Sequence, residues 1–157
     1  ISSAALAIIL NLNGLAAGAA TVGCCANMIG FAVASYKENK MGGLISQGIG
    51  TSMLQVPNIM KKPVIWLPAI IASAILGPVA TMVFHMTNNP SGAGMGSAGL
   101  VGQIMTWQTM IGTENPVVLI IKIALLHFIL PGIIAFIVSY IMRKKGIIQE
   151  GDMKLEL

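Results

Sequence analysis

Three apolar stretches, each long enough to cross a bilayer, alternate with charge clusters and two glycine-rich polar runs, and that alternation leaves few folds open. Leu15 to Tyr36, Pro63 to Met86 and Pro116 to Met142 carry almost no charge. A hydrocarbon core of about 30 Å is crossed by about 20 apolar residues in a helix rising about 1.5 Å per residue. Only 9% of the residues are charged and 55% are hydrophobic, where a soluble domain carries roughly a quarter charged. The expected fold is therefore an all-α integral membrane protein with about three transmembrane helices plus two re-entrant or irregular segments.

The charge clusters set the expected organisation. A membrane domain should occupy 1-145, with spans near 15-36, 63-86 and 116-142 and re-entrant pieces at 41-60 and 87-113, followed by a polar cytoplasmic tail at 146-157. The apolar run from Ala4 to Tyr36 is too long for one crossing, which predicts a break near Asn11-Leu12-Asn13-Gly14. Met41 to Met60 contains Gly42, Gly43, Gln47, Gly48, Gly50, Thr51, Gln55, Pro57 and Asn58, a poor composition for a transmembrane helix. If that piece enters and returns, Lys37, Lys40, Lys61, Lys62, Arg143, Lys144 and Lys145 all fall on one side. The segment 87-115 holds only Glu114. The excess of Lys and Arg in cytoplasmic loops places the basic side and the tail in the cytoplasm. The net charge of +4 is thus explained by flanking clusters, and no basic stripe suggests nucleic acid. The chain begins without Met, inside an apolar run, and reads as a fragment or trimmed product; Ile1-Ser2-Ser3 has no basic n-region of a signal peptide.

The run from Phe84 to Gln103 is dense in glycine, and its one titratable group is His85. Irregular backbone at membrane depth is tolerated only where protein buries it or where it lines a wet cavity, because lipid offers no hydrogen bonds. This run is accordingly the expected edge of a substrate path. Gly94-Met95-Gly96-Ser97-Ala98-Gly99 matches G-x-G-x-x-G, but no βαβ context surrounds it, so a dinucleotide site is rejected. Gly77-Pro78 and Pro131-Gly132 should interrupt two spans near their midpoints, as in the discontinuous helices of transporters.

Few side chains could carry chemistry. Lys122 is expected to snorkel or to pair with Glu114, and His127 to be a buried structural histidine. Glu114 is the best single candidate for charge-assisted hydrogen bonds to a polyhydroxyl or cationic ligand. Asn11, Asn13 and Asn27 should face protein or a cavity, Cys24 and Cys25 should pack between helices, and the eleven methionines should fill apolar space. The sequence contains no catalytic constellation, no metal-ligand cluster and no Walker loop. Neither catalytic residues nor a metal nor a cofactor is expected.

Several runs resemble a known family. Gly50-Thr51-Ser52-Met53-Leu54-Gln55-Val56-Pro57-Asn58, Gly77-Pro78, Asn88-Asn89-Pro90-Ser91-Gly92-Ala93-Gly94-Met95-Gly96, Gly99-Leu100-Val101-Gly102 and Lys145-Gly146-Ile147-Ile148-Gln149-Glu150-Gly151-Asp152 are similar to enzyme IIC permeases of the phosphoenolpyruvate-dependent sugar phosphotransferase system, within the branch containing the perfringolysin regulator proteins. The resemblance implies a bacterial cytoplasmic membrane permease, a sugar substrate, a phosphoryl-carrying IIB-type partner and a homodimer embedded in lipid. It covers most of the chain, which by this resemblance corresponds to the C-terminal half of a permease domain. Ile111-Gly112-Thr113-Glu114 resembles, in a different order, the family's Gly-Ile-Thr-Glu sugar-binding motif. The substrate-binding residues implied are Glu114, Thr113, His85, Asn88, Asn89, Gly94, Gly96, Gln55 and Asn58. The alternative within the same resemblance is a membrane-bound regulator that senses a ligand and affects gene expression without transport.

Overall fold

Asn11 and Gly14 both take left-handed backbone, with φ of 48° and 63°, and these two sharp turns separate a short α1 (Ser2–Ile9) from α2 (Gly14–Ala34). In the computed structural model, which describes residues 2–155, the chain continues through α3 (Tyr36–Ile45), a π-helical turn at Ser46–Gly50, a 3-10 turn at Ser52–Gln55 and α4 (Val56–Lys61). A 3-10 turn at Pro63–Trp66 leads into α5 (Leu67–Met82). The short α6 (Pro90–Ala93), a turn at Ala98–Leu100 and α7 (Val101–Met110) follow. A last helical run comprises α8 (Pro116–Ala124), a π turn at Leu125–Ile129 and α9 (Leu130–Lys144). The described residues form no strand; a single bridge joins Gly14 to Asn88.

Among the described residues, three helical runs are long and apolar enough to cross a membrane: Gly14–Ala34, Pro63–Met82 and Pro116–Lys144, of 21, 20 and 29 residues. The protein is an all-α membrane protein. α2 lies at the centre, because small residues let both neighbours approach it closely. Gly30 sits against Ala69 of α5 and Ala135 of α9, and Gly132 of α9 packs on Ile29 and Val33. The outer faces stay apolar and uncovered, with Val117, Ile120, Ile121, Ile133, Phe136 and Ile137 exposed. In water such a surface would be costly; in lipid it is the expected one.

Side-chain contacts order the ends of the bundle. Arg143 donates to the Glu38 carboxylate at 3.1 Å and to the Ala34 carbonyl at 3.0 Å, and Lys62 pairs with Asp152 at 2.6 Å. The end of α2, the start of α5 and the end of α9 therefore share one end, which gathers the basic clusters. At the far end Lys122 Nζ donates to the Phe84 carbonyl at 3.1 Å, and Gly14 and Asn88 exchange backbone bonds. The 41–60 segment leaves and regains the basic end, while 87–113 starts from the far end. They meet beside α2, where Ser97 Oγ donates to the Gly48 carbonyl at 2.6 Å.

Two expectations need correction. Gly77-Pro78 does not interrupt its helix, for α5 runs on through Pro78 to Met82. Pro131-Gly132 does alter the backbone, but as a widened turn: the Leu130 N–H donates to the Leu125 carbonyl, five residues back. Proline leaves the carbonyl four residues earlier without its amide, and a π turn re-registers the ladder. The tail packs back onto the bundle. Ile148 and Met153 are buried with Phe31, Ala34, Ile65 and Met142 in one apolar cluster.

Candidate functional site

A cavity of about 1060 Å³ opens along the middle of α2, at the upper end of the roughly 300–1,000 Å³ usual for small-molecule sites. One wall is α2, through Ala20, Gly23, Cys24, Asn27 and Met28; the opposite wall is Trp66, Ile70, Ser73 and Ala74 around the start of α5. The two irregular segments close it, with Gly50–Met53 from one and Gly94, Met95 and Ala98 from the other. Ser3 of α1 reaches the same rim and donates to the Gly94 carbonyl at 2.7 Å.

Its polar groups form a chain of hydrogen bonds. Trp66 Nε1 donates to Asn27 Oδ1 at 2.9 Å, and Asn27 Nδ2 donates to Ser52 Oγ at 3.1 Å. Three separate segments, α2, the 52–55 turn and the 63–66 turn, thus converge on one amide. Thr51 caps the 52–55 turn by accepting from the Met53 N–H at 3.2 Å, which fixes where Ser52 stands. Ser73 Oγ donates to the Ala69 and Gly23 carbonyls at 2.8 and 3.2 Å. The remaining lining is alanine, isoleucine, methionine and glycine, with Cys24. A mostly apolar cavity with an indole, an amide and hydroxyls at its rim can hold a solute that presents both hydroxyl groups and carbon-bound faces.

Of the residues expected at a substrate site, Gly94 lines this cavity. It is a point of close approach, since a Cβ there would strike the backbone of Ser3 and Ala4. Gly96, with φ of 56°, packs against Cys24 and Cys25 just behind the wall. Asn88 is buried, and its amide donates to Thr21 Oγ1, the Gly102 carbonyl and Thr106 Oγ1 at 2.7, 3.2 and 3.0 Å. That geometry pins the 87–106 segment onto α2. Asn89 caps α6 by accepting from the Gly92 N–H at 3.0 Å.

The others lie elsewhere. His85 is exposed at the far end in left-handed backbone, and Thr113 Oγ1 donates to the Met110 carbonyl at 2.9 Å. Glu114 is paired with Lys122 at 2.5 Å, and its Oε2 is buried with no partner among the described residues. Gln55 and Asn58 sit at the basic end, donating to the Met153 and Lys154 carbonyls at 2.9 Å each. Asn27 was legible as a polar residue in an apolar span. Ser52, Trp66 and Ser73 were not, since a lone serine or an indole beside a lysine pair has ordinary readings at a membrane boundary. Cys24 also lines the cavity, whereas Cys25 is fully buried and accepts from Gln103 Nε2 at 3.3 Å.

The described residues thus form a helical membrane protein with a solute-sized cavity between its central helix and two irregular segments. The profile of the family described as "Phosphotransferase system, EIIC" matches residues 1–155, and the chain belongs to that family. It is a membrane-embedded permease component of a sugar phosphotransferase system, and membership implies a sugar substrate and an EIIB partner in general. The match is to the family as a whole and does not single out the branch of the perfringolysin regulators. Comparisons with curated proteins and with solved structures find no match.

Proposed function

We propose that the cavity beside α2 is the sugar path of this permease component, with Asn27, Ser52 and Trp66 as the groups that meet the sugar. The supporting observation is the convergence of three segments on the Asn27 amide inside a cavity of about 1060 Å³. A sugar offers hydroxyls able to exchange places with these internal hydrogen bonds, and axial C–H faces that suit an indole. In this reading 41–60 and 87–113 are re-entrant segments that meet at Ser97 and Gly48. The basic end and tail face the cytoplasm, where an EIIB partner would phosphorylate the sugar, and the working form is a homodimer.

Glu114 remains a second candidate ligand, favoured by its buried, unpartnered Oε2. Its pairing with Lys122 means that a sugar would have to share or displace the ammonium. The test is binding of a panel of hexoses, hexitols and disaccharides to the purified protein by thermal shift, followed by uptake in vesicles. Asn27→Leu should weaken binding of the stabilising sugar by at least roughly tenfold, about 1.4 kcal/mol. Unchanged affinity in both Asn27→Leu and Ser52→Ala would remove the cavity from the path. Loss of binding in Glu114→Gln alone would move the site to the far end.

A further inference from the structure

The C-terminal tail is gripped by side chains of α3, α4 and the residues around them, and two of those side chains, Gln55 and Lys62, belong to turns that also deliver a rim residue to the cavity. Met153 carbonyl oxygen accepts from both Asn39 Nδ2 at 2.8 Å and Gln55 Nε2 at 2.9 Å. Lys154 carbonyl accepts from Asn58 Nδ2 at 2.9 Å, and the Leu155 N–H donates to Asn39 Oδ1 at 2.8 Å. The Gly151 N–H donates to Glu38 Oε1 at 2.9 Å, and Asp152 takes Lys62 Nζ at 2.6 Å. The tail backbone is held as a bound peptide would be, by amide side chains and the Glu38 carboxylate.

Gln55 closes the 3-10 turn that begins at Ser52, and Ser52 accepts from Asn27. Lys62 stands at the head of the 3-10 turn that ends at Trp66, its carbonyl accepting from the Ile65 N–H at 3.2 Å, and Trp66 donates to Asn27. Each of these 3-10 turns is only four residues long, so a single turn of backbone joins Gln55 to Ser52 and Lys62 to Trp66. Both partners of Asn27 are therefore one turn away from a tail contact. The tail reaches the Asn27 amide along two routes that arrive from different sides.

From this we infer that residues 151–155 are a strap that positions Ser52 and Trp66 around Asn27, so that docking of the tail at the basic end sets the shape of the cavity rim. Gln55 and Lys62 are positioning residues in this arrangement: they touch the tail and act on the cavity through Ser52 and Trp66. Coupling of this kind needs a contiguous chain of contacts with two arrangements, strap docked and strap released. The docked arrangement is the one described. A partner that met the tail at the basic end would then change the cavity without touching it. The functional weight of the strap rests on the cavity being the sugar path, but its structural claim does not.

The experiment accordingly uses no sugar. The chain has two tryptophans, so a Trp107→Phe background leaves Trp66 as the only indole reporter. Cys24 lines the cavity while Cys25 is fully buried, so maleimide labelling of the full chain in nanodiscs, read residue by residue by mass spectrometry, reports on the cavity. Lys62→Asp and Asp152→Lys singly should shift Trp66 emission and change the Cys24 labelling rate several-fold. The double reversal should return both to the parental values, and each single should act at temperatures well below its own thermal unfolding midpoint, where a merely destabilised bundle would still give parental readouts. Gln55→Leu should reproduce the single reversals. Parental emission and labelling in both single reversals, or failure of the double to restore them, would overturn the strap. Should a reversal fail to give a helical protein by circular dichroism, Asp152→Asn decides in its place, and parental readouts in that variant would equally overturn it. Lost sugar binding with these readouts intact would count against the sugar path and not against the strap.

Discussion

Asp152 occupies the hinge between charge and backbone at the basic end. Its slight burial pushes the carboxyl upward, but hydrogen bonds from Lys62 and the Gln149 N–H, with the charges of Lys62 and Arg143, outweigh this and hold it below the ordinary carboxylate range. The fourth charged group nearby, Glu38, takes the adjacent Gly151 N–H and is itself paired with Arg143. A carboxyl depressed in the folded state adds stability that is present above its unfolded pKa, about 3.9, and is lost as pH falls through the lower folded value. Tail docking should therefore be flat from neutrality down to about pH 4 and fail only below that. The anisotropy of a dye on Glu150→Cys checks it, and adding Asp152→Asn should remove part of that acid transition. At this scale the sequence was partly readable. Lys122 could be expected to pair with Glu114, and it does. The partners of Gln55 and Asn58, residues 153 and 154, lie almost a hundred positions away, and no local pattern announces them.

Among the elements, α2 carries the tightest constraints. A Cβ on Gly18 would collide with the Met86 carbonyl, and backbone on both sides leaves nothing to yield. Gly18→Ala should cost about 1–3 kcal/mol or more through overpacking. Gly77→Ala in α5 meets nothing within 4 Å and should be neutral or stabilising by roughly 0.5–1 kcal/mol, the gain from replacing glycine inside a helix. Thermal unfolding in one detergent distinguishes the two, and equal losses would contradict the packing described. Both positions read alike as glycines in apolar spans, because a period or a composition reports which residues are small and not what approaches them. The two proline–glycine interruptions illustrate the same limit. Pro78 lies inside an unbroken helix and Pro131 follows a π turn. What separates them is location: Pro78 is exposed, whereas Pro131 and Gly132 are buried, with Gly132 packed on α2 at Ile29 and Val33.

For the whole molecule, the gathering of Lys37, Lys40, Lys61, Lys62, Arg143, Lys144 and Lys145 at one end makes an orientation prediction. A cysteine placed at Glu150 should react with a membrane-impermeant maleimide only from the cytoplasmic side, and one placed at Gly112 only from the outside. Right-side-out and inside-out vesicles check this, and labelling of both from one side would refute the topology. The amino-acid sequence by itself determined that the chain is a helical membrane protein, where its three crossing-length runs lie, and that Asn27 could not face lipid, because hydrophobic length, charge placement and the cost of an unsatisfied amide are local quantities. Only the tertiary structure decided that Asn27 meets Ser52 and Trp66 in a cavity, that Asn88 fastens a segment, and that the tail folds back to hold Gln55 and Lys62. Those outcomes depend on hydrogen bonds between segments distant in the chain, and a hydrogen bond's partner is chosen by the packing of helices, which no single stretch of residues encodes.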